Sequence, residues 1–259
     1  MESLPDKTFL GTSYAFSRKF NTRNLEHYWY PLWAQTLSDL VAKAPKLIVA
    51  PQFPIWFVDN HASQESLDEG DDPKDIVETA QEKQDDLGTI EVESGAVNSS
   101  FLSKSTVPEK DAKEVVVDFA IIHLTPQKDD EEWKIAEASV ELLVEVKRSV
   151  SRGVEGDNLE AKVLEQLTKA QNDLKKQAAH LFLSDANKQS IQTISAAGPY
   201  WSGTIIKRAD VQFTMQDLSA DYEPGEGLSD TLLYWTIPVC IGSPESDACL
   251  DIILNEFKE

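Results

Sequence analysis

Two apolar stretches of this 259-residue sequence carry charged residues in their interior: VVVDFAII (115–122) and LLVEVK (142–147). Both are typical of strands, and an ionised side chain in a buried strand is costly unless it is paired or binds a metal. Glu145 and Lys147 are two residues apart, so in a strand they point to the same face. If Asp118 converges on them, two carboxylates beside an ammonium group form an oxygen site for a divalent cation. Hydrolysis of a phosphodiester needs such an arrangement.

A strand with an interior Asp, then a strand with Glu-x-Lys, then a long helix resembles the PD-(D/E)XK nuclease superfamily. The resemblance covers roughly residues 25–208. In the family motif a Pro precedes the Asp, whereas here Val117 precedes Asp118. It implies a restriction-endonuclease-like fold in which Asp118 and Glu145 hold Mg²⁺ or Mn²⁺. It also implies that Lys147 orients or activates the attacking water.

Three further residues are candidates for the same site. The backbone carbonyl of Val146, in the middle of the Glu-x-Lys motif, could supply another oxygen ligand. Resembling nucleases often place a Glu on the first helix, here Glu26; the alternative is a surface acid that the helix dipole favours. They also often offer a Gln from the helix after the motif, here Gln171; the alternative is a buried amide bonded to the backbone. Gln177 is predicted to lie off the apolar face of that helix.

The central residues also have ordinary structural explanations. Asp118 could lie near a sheet edge, and Glu145 could form an ion pair with Lys147 on a solvated face. A net charge of −21 opposes a nucleic-acid enzyme, because such proteins normally neutralise phosphates with Lys and Arg. The best local group of cations comprises Lys147, Arg148, Arg152, Lys162 and Lys169. This group could receive a phosphate backbone.

The pattern of apolar residues predicts helices and strands in the order that suits an α/β sandwich, a mixed central β-sheet flanked by helices. Helices are predicted over 24–44, 158–183 and 244–257, and strands over 114–124, 133–138, 140–149, 190–197, 200–214 and 232–241. The second and third strands could be one. Residues 47–58 are predicted to be extended, and Pro51 and Pro54 argue against an interior strand.

The whole chain, 1–259, is predicted to form a single domain with an acidic, disordered insertion at 61–113. The sequence shows neither a signal peptide nor an apolar run long enough to span a membrane. Cys240 and Cys249 lack metal-type spacing, and two reduced thiols suit an intracellular protein of the cytoplasm or nucleus.

Three classes of function fit these residues. The first is a metal-dependent nuclease that uses Mg²⁺ or Mn²⁺ on DNA or RNA. The second is a catalytically inactive domain of the same fold that binds a protein partner or has a regulatory role. The third is a protein-interaction domain in which Glu145 and Lys147 are a surface pair. The expected partners are therefore nucleic acid or protein, and a membrane is not expected to be a partner.

Overall fold

The structure is a computed structural model and describes residues 6–58, 112–129, 132–225 and 232–257. By its contacts the chain divides into one unit made of Met1–Phe57 and Lys113–Glu259 and a second unit, Val58–Ala112. The predicted acidic insertion, 61–113, lies outside the described residues except for its last two. All the elements below belong to the first unit.

Within the described residues, six strands form one mixed sheet, in the same order as along the chain. They are β1 (Leu47–Phe57), β2 (Lys113–Asp129), β3 (Glu132–Lys147), β4 (Ser190–Ala197), β5 (Tyr200–Lys207) and β6 (Val239–Cys240). β3 and β4 are parallel, and the other four neighbouring pairs are antiparallel. A parallel pair needs a long crossover connection, which here contains the helix α3 (Asp157–Ser184).

The helices cover both faces of this sheet. They are α1 (Lys7–Phe16), α2 (Tyr30–Val41), α3, α4 (Gln212–Leu218) and α5 (Pro244–Glu256). One hydrophobic core joins the sheet to α1, α2 and α5, with Trp33 and Phe119 at its centre. A second core joins the sheet to α3 and α4 and includes Phe182 and Met215. The fold is therefore mixed α/β, and among the described residues no helix is long and apolar enough to cross a membrane.

Most of the predicted elements are confirmed. The strand predicted at 190–197 is β4, and the helix predicted at 158–183 extends by one residue at each end. The two strands predicted between 133 and 149 are one strand, β3, as the sequence allowed. The helix predicted from 244 also forms, because Ser243 caps it by accepting a hydrogen bond from the Ser246 N–H at 3.2 Å.

Prolines shape two elements near the N-terminus. The predicted helix 24–44 begins as a 3-10 turn, Glu26–Trp29, and becomes regular at Tyr30, with Pro31 in its first turn. The extended segment 47–58 is β1, an edge strand of the sheet. An edge position tolerates Pro51 and Pro54, because one side of the strand needs no ladder donors.

The strand predicted at 200–214 is wrong beyond Lys207. There the chain enters a 3-10 turn, Arg208–Val211, and then α4. Asp210 accepts a hydrogen bond from the Lys207 N–H at 2.8 Å, and the Arg208 guanidinium donates to the Asp185 carbonyl at 2.7 Å. These bonds stabilise a change of direction that the apolar pattern of the segment does not reveal.

The strand predicted at 232–241 is reduced to its end, β6. The residues before β6 follow β5 without a regular ladder. Thr236 attaches them, because its N–H donates to the Gly203 carbonyl and its hydroxyl accepts from the Gly203 N–H, both at 3.0 Å. The helix α1, by contrast, was absent from the sequence prediction; Asp6 caps it by accepting from the Phe9 N–H at 2.7 Å.

Candidate active site

Strands β2 and β3 separate where each carries its buried acid. Their pairing ends at Phe119 and Val144, and one further step in this register brings Asp118 opposite Glu145. Both acids are buried, with 8% and 7% of their surface exposed. The structure therefore brings the two acids of the sequence motif together on neighbouring strands.

Asp118 accepts hydrogen bonds on both of its oxygens just beyond the last pair of β2 and β3. Its Oδ2 accepts a hydrogen bond from the backbone N–H of Val146 at 2.8 Å. Its Oδ1 accepts from the Tyr30 hydroxyl at 2.6 Å and from Nε2 of Gln52 at 3.2 Å. Burial and the hydrogen bond to Asp118 raise the pKa of Tyr30, so the hydroxyl stays protonated as a donor. Residues from β1, β3 and α2 thus hold one carboxylate.

Gln52, which donates a hydrogen bond to Asp118, also has an unusual backbone conformation. Its φ is 49°, in the left-handed region that non-glycine residues seldom adopt. It lies opposite Asp118, between the pairs Pro51–Phe119 and Phe53–Val117. The local irregularity of β1 therefore coincides with the position where its side chain reaches the acid.

Glu145 accepts hydrogen bonds on both of its oxygens. Oε1 accepts from Nζ of Lys147 at 2.6 Å, and Oε2 accepts from Nε2 of Gln177 at 2.8 Å. Burial and the negative charge of Asp118 raise the pKa of Glu145, and the two donors offset part of this effect. The carboxylates of Glu145 and Asp118 therefore repel each other, a condition that a bound cation would relieve.

Lys147 lies between two carboxylates. Its Nζ is 2.6 Å from Oε1 of Glu145 and 2.7 Å from Oδ2 of Asp173, a residue of α3. Burial alone would lower the pKa of Lys147, but the hydrogen bonds and charges of Asp173 and Glu145 outweigh burial and raise it. Lys147 is therefore a fixed cation at neutral pH rather than a proton acceptor.

Glu26 lies at the edge of the same group. It begins the 3-10 turn before α2, and its Oε2 accepts a hydrogen bond from the Arg148 N–H at 3.2 Å. Burial raises the pKa of Glu26; the charge of Lys147 lowers it, and that of Asp118 raises it. Glu26, the third acid that the sequence suggested, is thus close enough to interact electrostatically with Lys147 and Asp118.

The glutamine that touches the site is Gln177, not Gln171. The amide of Gln171 lies 3.5 and 3.4 Å from the hydroxyls of Ser195 and Ser202, under α3. The prediction that Gln177 lies off the buried face is wrong, because only 2% of its surface is exposed. Its Nε2 also lies 3.2 Å from the carbonyl of Val116, so it joins β2 to Glu145.

The carboxylates of Asp118 and Glu145 retain unused hydrogen-bond acceptor positions. Five protein donors contact their oxygens, out of about eight acceptor positions that two carboxylates offer. The carbonyl of Val146 points to the same side of β3 as its N–H, toward Asp118. Among the described residues no three His, Cys, Asp or Glu side chains are grouped to hold a metal. Two carboxylates, a carbonyl and waters nevertheless suit Mg²⁺, which retains several waters when bound.

Comparisons with protein-family models, with curated proteins and with solved structures found no match for this chain.

Proposed function

We propose that this protein is a metal-dependent nuclease of the PD-(D/E)XK type, with the restriction-endonuclease-like sandwich as its fold. One observation carries the proposal: the buried acids Asp118 and Glu145 meet where β2 and β3 separate, with the ammonium group of Lys147 bonded to Glu145. A structural ion pair between Glu145 and Lys147 would not need Asp118 as a second buried acid.

Asp118, Glu145 and the carbonyl of Val146 would hold Mg²⁺ or Mn²⁺, with Glu26 at the edge of the site. The chemistry that such a metal would supply is a water of lowered pKa, which would serve as the nucleophile at neutral pH. Burial of the two acids excludes bulk water and strengthens their interaction with a cation.

The other residues of the site have positioning and electrostatic roles. Lys147 stays protonated and would stabilise the negative charge that develops on the phosphate in the transition state. Asp173 restrains Lys147 by an ion pair, and Gln177 orients Glu145 through its Oε2. The Tyr30 hydroxyl orients Asp118 in the same way.

A binding module of the same fold is the second candidate. It is favoured by the net charge of −21 and by the protein hydrogen bonds that each carboxylate oxygen of Asp118 and Glu145 already accepts. For either function the free thiols of Cys240 and Cys249 support an intracellular location.

Cleavage of single- and double-stranded DNA and RNA with Mn²⁺, Mg²⁺ or EDTA tests the proposal. The wild type should cleave at least one of these substrates with metal, and Lys147→Met should lower the rate by about 100-fold or more. Lys128→Met is a matched control, since Lys128 is exposed near the end of β2, ten residues along the strand from Asp118. Circular dichroism checks that Lys147→Met is folded. A wild type that cleaves none of these substrates with either metal would favour the binding module.

A further inference from the structure

A positively charged pocket of about 430 Å³ lies beside the candidate active site. It is formed by the residues after β3, the first half of α3 and the segment before Glu26. Its lining includes four cations and one carboxylate: Arg23, Arg148, Lys162, Lys169 and Glu165. In a chain whose net charge is −21, this local excess of cations needs an explanation.

The cations of this pocket differ in how they are used. Lys162 and Lys169 share Glu165, at 2.7 and 3.0 Å. Among the described residues, neither the Arg23 nor the Arg148 side chain has a hydrogen-bond or ion-pair partner. Two guanidinium groups at one pocket can therefore bind an anion without breaking an existing contact.

Arg152, four residues after Arg148, shows the contrasting case. Its guanidinium donates to the backbone carbonyl of Asn21 at 2.6 Å and lies 3.4 Å from that of Ser17. Arg152 therefore has a structural role in holding the N-terminal segment. It is not one of the residues that line the pocket, which separates it from Arg23 and Arg148.

The pocket adjoins the acids through two short connections. Arg148 directly follows Lys147, and its backbone N–H bonds to Glu26. Lys169 lies four residues, about one helical turn, before Asp173, which pairs with Lys147. A strand that places one phosphate at Lys147 would therefore place a neighbouring phosphate at or near the pocket.

We propose that this pocket binds a backbone phosphate of a polynucleotide strand, next to the phosphate that lies at Lys147. The position of the second phosphate rests on the proposed nuclease function, whereas binding of the strand does not. The planar guanidinium groups of Arg23 and Arg148 suit phosphate, which they can contact through two parallel hydrogen bonds. Lys162 and Lys169 add charge without base specificity, so the pocket recognises the backbone rather than a sequence.

Binding without metal tests the pocket separately from catalysis. Fluorescence anisotropy of a labelled single-stranded oligonucleotide is measured in EDTA over a range of salt concentrations. Arg23→Ala/Arg148→Ala should raise Kd about tenfold or more. It should also reduce the slope of log K against log salt by about 0.7, the value for one neutralised phosphate of a single strand. The double variant Lys43→Ala/Lys128→Ala removes the same charge from exposed positions outside the pocket and should bind almost as the wild type does.

Equal affinity in the wild type and Arg23→Ala/Arg148→Ala would overturn the proposal, as would a wild type that does not bind the oligonucleotide. A thermal shift with inorganic phosphate separates the two sources of the anion. A shift that depends on the two arginines, without oligonucleotide binding, would assign the pocket to free phosphate and overturn the polynucleotide proposal. Arginine-dependent binding with no cleavage in Mn²⁺ would keep the pocket and reject the nuclease. Cleavage by the wild type, with unchanged oligonucleotide binding in Arg23→Ala/Arg148→Ala, would keep the nuclease and reject the pocket.

Discussion

Replacing Asp118 with Ala should destabilise the protein by about 2 kcal/mol, although it removes a buried charge that repels Glu145. The Asp118 carboxylate accepts hydrogen bonds from Tyr30, from Gln52 and from the N–H of Val146. Val146 is fully buried, and an N–H left there without an acceptor costs about 1–3 kcal/mol. Tyr30 is only half-buried, and its hydroxyl can bond to water instead. Loss of its hydrogen bond to Asp118 therefore adds less to the destabilisation. Relief of the repulsion on Glu145 returns part of the total.

Urea unfolding of the wild type, Asp118→Ala and Tyr30→Phe at neutral pH measures this difference. Tyr30→Phe removes one donor and keeps the bond from Val146, so it should lose only about 1 kcal/mol. If Asp118→Ala is as stable as the wild type or more stable, the reasoning is refuted. The repulsion between the two carboxylates would then outweigh the hydrogen bonds that hold Asp118.

Two further predictions concern pH and a turn. Because the pKa of Glu145 is raised above 4.5, the folded wild type retains its proton longer and loses stability as pH rises just above that value. Glu145→Gln has no carboxyl group to titrate and should not lose stability in this way. Urea unfolding at several pH values above 4.5 should therefore show the free energy of unfolding of the variant rising relative to that of the wild type. Gly198 has a φ of 63°, and a Cβ there would lie 2.5 Å from Cβ of Ser149, so Gly198→Ala should cost about 2 kcal/mol. Gly153→Ala, whose Cβ meets no atom within 4 Å, should change the free energy of unfolding by less than about 0.5 kcal/mol.

The centre of the candidate site was accessible to sequence reasoning because burial of charge is costly. Asp118 and Glu145 stood out against long apolar runs, and the two-residue spacing of Glu145 and Lys147 placed both on one face. These are local properties of strands, and they need no knowledge of what packs above the sheet.

The surrounding residues were less accessible because they depend on how helices pack. A single apolar stripe on α3 favoured Gln171, but α3 is buried over a wider arc that includes Gln177 and His180. Tyr30 and Asp173 reach the site from two different helices, and the angular position of each helix is set by tertiary contacts. The positions of the two glutamines along α3 therefore could not show which of them, Gln171 or Gln177, faces Glu145.

The elements that were predicted wrongly share a physical cause. The residues after Lys207 look like a strand by composition, but Arg208 bonds to carbonyls at the distant end of α3 and redirects the chain. The residues before β6 are apolar, yet Thr236 is held to Gly203 by isolated bonds rather than a ladder. Long-range hydrogen bonds thus overrode the local pattern in both segments.

Isothermal titration of Mn²⁺ into the metal-free protein tests a metal site at Asp118 and Glu145 most directly. The wild type should show a saturable site, and the metal should raise its Tm because it binds the folded state. Both effects should disappear in Asp118→Asn and in Glu145→Gln and should persist in Lys43→Ala, an exposed position outside the site. Equal Mn²⁺ binding by the wild type and Asp118→Asn, or no binding by the wild type, would contradict the proposed site.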